Sequence, residues 1–150
     1  MSNHALVFGA SGISGWALVK EALSYPNPSA FSRVTALTNR PLSLSDSQWP
    51  EDNRLRLISG VDLTKPVADV VQLLKDIPSV ETVSHVFLFL YLDLGKDKKS
   101  LIKVNTDLIR TAVEAIQQAS LVIKSFILQT GGKSYGLGKQ CRRVFTAPTN

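Results

Sequence analysis

The sequence predicts an α/β protein built on a doubly wound parallel sheet of about five strands in the order 3-2-1-4-5. Three observations carry that prediction. Strand-like apolar segments alternate with amphipathic segments along the chain. Glycines recur at Gly9, Gly12 and Gly15, where the first strand should turn into the first helix. The longest apolar run, VFLFLYL over Val86–Leu92, has the length of a strand buried on both faces and is far too short to span a bilayer.

The elements follow in order. ALVFG at Ala5–Gly9 is a short apolar run ending in glycine, and a helix from about Ile13 to Leu23 stops before YPNP. RVTALT at Arg33–Thr38 is rich in residues that suit a strand. The polar stretch with Pro41, Ser43, Ser45, Asp46 and Pro50 reads as a loop. RLRLISG at Arg54–Gly60 alternates charged and apolar residues, as a strand nearer an edge does. A helix from about Pro66 to Lys75 has proline in its first turn. HVFLFLY from His85 is the fourth strand, with Tyr91 at its end. Lys98–Ala119 is a long helix with an apolar stripe at Leu101, Leu108, Ile109, Ala112, Ile116 and Ala119. KSFILQT at Lys124–Thr130 is the fifth strand. Parallel strands joined through helices require right-handed crossovers. The expected organisation is therefore one nucleotide-binding, Rossmann-like domain over residues 1–136 and a basic tail without a clear fold over 137–150.

Composition narrows the function. The chain has 150 residues, 44% of them hydrophobic, which suffices for one core and not for two. Its single cysteine, Cys141, excludes an internal disulfide framework. MSNHALVFGASG lacks the basic segment of a targeting sequence, so a cytoplasmic protein is expected. The net charge of +5 is uneven: no acidic residue follows Glu114, and Lys124, Lys133, Lys139, Arg142 and Arg143 supply the excess. These charges are too dispersed, with too few aromatics between them, to point to nucleic acid. His4 and His85 have no ligand partner at useful spacing, so no metal site is expected.

The glycine spacing suits a dinucleotide. A tight turn needs a residue without Cβ, a pyrophosphate must approach the backbone closely, and the helix must pack on the strand. The helix start presents unpaired N–H groups and partial positive charge. Gly9, Ser11, Gly12, Ile13 and Gly15 are the candidate contacts, although the same turn could serve packing alone. After the second strand, LTNRP holds Asn39 and Arg40 and no acid. A carboxylate there would bind a free ribose 2′-hydroxyl, whereas a guanidinium pairs with a 2′-phosphate and stacks on adenine. The reading favours NADP(H), against a solvated arginine. Asp62, followed by Leu63, could accept from the adenine amino group or cap the next turn. Tyr91 lies where a nicotinamide would, or in the core.

These residues resemble the progesterone 5β-reductase/iridoid synthase-like (PRISE) family of extended short-chain dehydrogenases, with a fungal character. The matching segments are GASGISG, LTNRP, the aspartate of SGVDLT, SHVFLFLY, Asn105 and LQTGGKSYG, over residues 5–136. The resemblance implies NADPH-dependent 1,4-reduction of the activated C=C bond of an enone or related carbonyl compound, in secondary metabolism. It implies Lys133 as a donor to the developing oxyanion, together with a tyrosine from a later motif that would fall beyond Asn150. It therefore also implies a C-terminally truncated relative, a non-catalytic NADP(H)-binding module or an inactive fragment being the alternatives. KSYGLG departs from the family's KHYxGP. Tyr135 and Lys139 fit Y-x-x-x-K, the proton-donating pair of other short-chain dehydrogenases, but two interior glycines make a poor helix, at about 1 kcal/mol each. The fifth strand, lacking a sixth, should present an apolar edge that favours self-association.

Overall fold

The computed structural model describes residues 3–24, 27, 30–93, 97–119 and 121–129. Among these residues five parallel strands form one sheet in the order β3-β2-β1-β4-β5: β1 His4–Phe8, β2 Arg33–Thr38, β3 Leu55–Ser59, β4 His85–Leu88 and β5 Ser125–Leu128. The helices are α1 Ile13–Ser24, α2 Leu44–Ser47, α3 Val67–Lys75 and α4 Lys98–Gln118. No helix among the described residues is long and apolar enough to cross a membrane.

Strand β1 shows why the sheet is doubly covered. All five of its residues are buried. Successive side chains point to opposite faces. Leu6 and Phe8 enter a core with Val70 and Leu74 of α3 and Ala112 and Ile116 of α4. Ala5 and Val7 enter a second core with Val19 and Leu23 of α1 and with Trp49. Apolar side chains are therefore needed at every position of a central strand, which is what ALVF supplies. The alternating RLRLIS sequence of β3 takes the sheet edge, as expected.

Three differences from the sequence reading have local causes. The polar stretch after β2 contains α2, because Ser43 caps it by accepting from the Asp46 amide at 3.1 Å. Pro66 is the N-cap of α3 rather than part of its first turn. Strand β4 ends at Leu88, so Tyr91 lies beyond it. The helix expected over Lys98–Ala119 runs over Lys98–Gln118: Asp97 caps α4 through the amides of Lys99 and Ser100, and Ala119 is its C-cap.

Two tryptophans fasten the segment after β2 to α1. Trp16 donates through its indole N–H to the Ser47 carbonyl at 2.6 Å, and Trp49 donates to the Trp16 carbonyl at 3.1 Å. These paired bonds hold α2 beside α1 and fix one end of the connection that begins at Asn39.

Candidate functional site

The parallel register brings the carboxyl ends of β1, β2, β3 and β4 to the same side of the sheet. The chain reverses direction of growth at β1, which pairs with β2 on one side and β4 on the other. Crevices form at such a point because the connections leave to opposite faces. A cleft of about 240 Å³ lies there. Of the residues singled out in the sequence, Gly9, Ser11, Gly12, Asn39, Arg40, Asp62, Leu63 and Tyr91 line it. Gly15 and Ile13 do not: Gly15 is buried at the start of α1, and Ile13 is 93% exposed. Lys133 and Tyr135 lie outside the described residues, as does the 137–150 tail.

The three glycines do different work. Gly9 has φ +74°, and a Cβ there would stand 2.1 Å from the Phe89 carbonyl oxygen. A Cβ on Gly15 would stand 2.3 Å from the Gly9 carbonyl oxygen. Both positions are closed to side chains by the protein's own backbone. Gly12 is different, since its nearest neighbour would be the Gly9 oxygen at 3.4 Å, an ordinary contact. Nothing among the described residues requires glycine at position 12, yet a Cβ there would narrow the cleft. That is the pattern of a cradle shaped for a group that approaches the backbone. The first turn of α1 holds no acidic residue, so no carboxylate competes for its N–H groups.

The opposite wall carries the charges. Arg40 and Asp62 are the cation and the anion among the lining residues. Among the described residues the Arg40 guanidinium has no hydrogen-bond or ion-pair partner. Asp62 accepts through Oδ1 from both the Thr64 amide, at 2.9 Å, and the Thr64 hydroxyl, at 2.6 Å. The hydroxyl bond, followed by the amide, holds the Asp62 carboxyl below its usual range. Asp62 is thus a turn residue through one oxygen and keeps Oδ2 for another donor.

Tyr91 is 70% exposed, which removes the core-aromatic alternative. Its segment is held by Asn105 of α4, which accepts from the Leu92 amide at 2.8 Å and donates to the Leu92 carbonyl at 2.9 Å. Sequence reasoning marked Asn105 only by resemblance. It missed Phe89 and Leu90, which line the cleft, because an apolar residue at a strand end carries no mark of its own.

A larger hollow of about 530 Å³ lies at the amino ends of the strands, lined by His4, Arg33, Thr35, Arg54, Arg56 and Ser79 among others. It is polar, has no glycine turn and faces away from the helix start. Size alone does not make it the site, because ligands of open α/β sheets bind at the carboxyl ends.

Fold and cleft together make this a Rossmann-like domain. The chain belongs to the PRISE-like Rossmann-fold domain family, whose model matches residues 5–145. It is 44% identical over 135 residues to Short chain dehydrogenase sirQ of Leptosphaeria maculans, covering 89% of this chain and 34% of that protein. Short chain dehydrogenase ausT of Aspergillus calidoustus is 44% identical over 137 residues, covering 89% and 33%. The chain therefore spans about a third of the length of these curated relatives. Among solved structures it is similar to a Veillonella parvula short-chain dehydrogenase/reductase in complex with NADP, with a TM-score of 0.56, 14% identity, and 89% of this chain and 50% of that chain covered. It is also similar to the Bordetella bronchiseptica enzyme WbmG in complex with NAD and UDP, with a TM-score of 0.64, 17% identity, and 100% and 44% covered. These two likenesses bear on the fold.

Proposed function

We propose that this chain is the NADP(H)-binding part of a cytoplasmic short-chain dehydrogenase/reductase of secondary metabolism, acting on an enone or related carbonyl substrate. The observation that carries the cofactor half is the open backbone at Gly12 and, across the same cleft, Arg40, whose guanidinium has no partner among the described residues. The turn Gly9–Gly12 and the start of α1 would cradle the pyrophosphate. Arg40 would meet the 2′-phosphate, Asn39 and Asp62 the adenosine, and Leu63 would pack beside it. Gly15 keeps α1 against β1, and the exposed Ile13 would border the outer side of the phosphates. Tyr91 would border the nicotinamide.

Bound NADPH would supply a hydride for 1,4-reduction of an activated C=C bond. Such a reduction would place negative charge on the substrate's carbonyl oxygen, and a proton from solvent would complete it at the α-carbon. Lys133 is the residue proposed to donate to that oxygen, where charge develops during reaction. Tyr135 is the weaker candidate, for the helical reason given above. The relatives named short chain dehydrogenases support the reductase reading.

The test is a titration of the full chain with NADPH and with NADH. A guanidinium–phosphate pair contributes about 1.5–3 kcal/mol, so Arg40→Ala should weaken NADPH about 10- to 100-fold and leave NADH unchanged. Equal affinities in the wild type would refute the cofactor reading. Oxidation of NADPH by 2-cyclohexenone, abolished by Lys133→Ala, would support the catalytic half. Binding without turnover would instead support a non-catalytic NADP(H)-binding module.

A further inference from the structure

We propose that the hydroxyls of Thr38 and Ser59 form a clamp that sets cofactor selectivity by holding the backbone of Arg40. Thr38 is the last residue of β2 and Ser59 the last of β3, and the two are register partners. The Thr38 hydroxyl donates to the Arg40 carbonyl at 2.8 Å and lies 3.1 Å from the Ser59 hydroxyl. Ser59 in turn meets Leu42: its oxygen accepts from the Leu42 amide at 3.2 Å, and its hydroxyl donates to the Leu42 carbonyl at 3.2 Å.

The proton count is consistent. Thr38 has one proton to share between the Arg40 carbonyl, the shorter contact, and the Ser59 oxygen. Ser59 accepts from the Leu42 amide and gives its own proton to the Leu42 carbonyl. Two hydroxyls on adjacent strand ends thus grip both sides of the Asn39–Pro41 turn. Pro41 adds a second restraint, because a residue before proline is confined to extended backbone. The far end of the same connection is fastened by Trp16, Ser47 and Trp49. Arg40 is therefore rooted on a held backbone although its side chain has no partner among the described residues.

The consequence concerns binding. An arginine on a loose loop must order the loop when it meets a phosphate, and that entropy subtracts from affinity. A clamped root removes the cost. The gain applies to a ligand that touches Arg40 and not to one lacking the 2′-phosphate. Thr38 and Ser59 are thus positioning residues for selectivity. They touch no cofactor in this scheme and rest on the proposed role of Arg40.

The experiment measures NADPH and NADH affinities of the full chain in the same titration. Ser59 is exposed, so Ser59→Ala should fold normally, and Thr38→Val preserves shape at a buried position. Each should weaken NADPH about 5- to 10-fold and leave NADH within about twofold. Thr38→Ser and Ser59→Thr, which keep the hydroxyls, should restore the wild-type ratio. In an Arg40→Ala background, Ser59→Ala should change the ratio no further, since the residues act through one another. An unchanged ratio in Ser59→Ala, or equal loss of both nucleotides, overturns the clamp. If the wild type itself shows no NADPH preference, or Arg40→Ala preserves one, the role of Arg40 fails and the clamp with it. If Arg40→Ala abolishes the preference and neither Ser59→Ala nor Thr38→Val alters it, the clamp alone fails.

Discussion

Replacing each glycine of the turn by alanine separates what the fold needs from what a ligand needs. At Gly15 the new Cβ would lie 2.3 Å from the Gly9 oxygen and 2.9 Å from the Ala10 Cα, and both atoms are backbone. Overpacking of this kind costs about 3 kcal/mol at the upper end, since no side chain can swing away. Removing a glycine from a helix returns about 1 kcal/mol. The net loss is about 2 kcal/mol, or a melting temperature about 4–8 °C lower for a chain of this length. Gly9→Ala is worse, because its φ of +74° adds about 1–2 kcal/mol of left-handed strain to a 2.1 Å clash. Gly12→Ala meets only a 3.4 Å contact, so its stability should stay within about 0.5 kcal/mol of wild type. Its NADPH affinity should nevertheless fall at least about tenfold, because the methyl occupies the cradle. Thermal unfolding followed by circular dichroism gives the stabilities, and nicotinamide fluorescence gives the affinities. Undiminished NADPH binding by Gly12→Ala would refute the assignment of the cradle, and a fully stable Gly15→Ala would refute the packing argument.

Two further outcomes follow from other parts of the molecule. His4 is 1% exposed, its Nδ1 2.9 Å from the Thr82 hydroxyl and its Nε2 2.8 Å from the Thr35 hydroxyl. Burial first, then the Arg33 guanidinium, lowers its pKa, with Arg56 acting the same way and Glu81 opposing. Burial and Lys124 lower that of His85. The unfolded chain then binds more protons below pH about 6.5, so stability is fully present above that value and declines as pH falls from it toward the lowered native values. Urea midpoints should drop between pH 7.5 and about 5.5, and a midpoint that rises on acidification contradicts the sign. At the sheet edge, β5 leaves Phe126 44% and Ile127 47% exposed. The 150-residue chain should associate with increasing concentration, and Ile127→Lys should suppress this. Sedimentation showing a monomer at every concentration would refute it.

The fold was readable because its signals are local and repeated. An apolar run such as ALVF is buried on both faces, and the helical spacing of Leu108, Ala112 and Ile116 marks one face of α4 as packed against neighbouring elements. Strand order then follows from chain connectivity rather than from any single residue. The short helix α2 was hidden because its signal is one capping serine inside a proline-bounded polar stretch, where turn residues and cap residues are the same residues. The end of β4 was hidden for the opposite reason. FLY continues the apolar pattern of VFL, so the sequence does not mark the stop at Leu88; beyond it the chain lines the cleft and is held by Asn105 of α4 through Leu92.

The site divides along the same line. Gly9, Gly12 and Gly15 could be found by spacing, but spacing could not tell which glycine serves the protein and which faces the cleft; that distinction needs the Phe89 carbonyl, 80 residues away from Gly9. Arg40 could be found as a basic residue in place of an acid at the end of β2. Its support could not, since Thr38 and Ser59 are ordinary strand residues until the parallel register sets them side by side. A charged residue states its chemistry in the sequence, whereas the hydroxyls that decide how firmly it is held state theirs only through a partner on another strand. If Arg40 selects the phosphorylated nucleotide as proposed, a relative that keeps the arginine but loses both hydroxyls should discriminate less between NADPH and NADH when the two are titrated side by side.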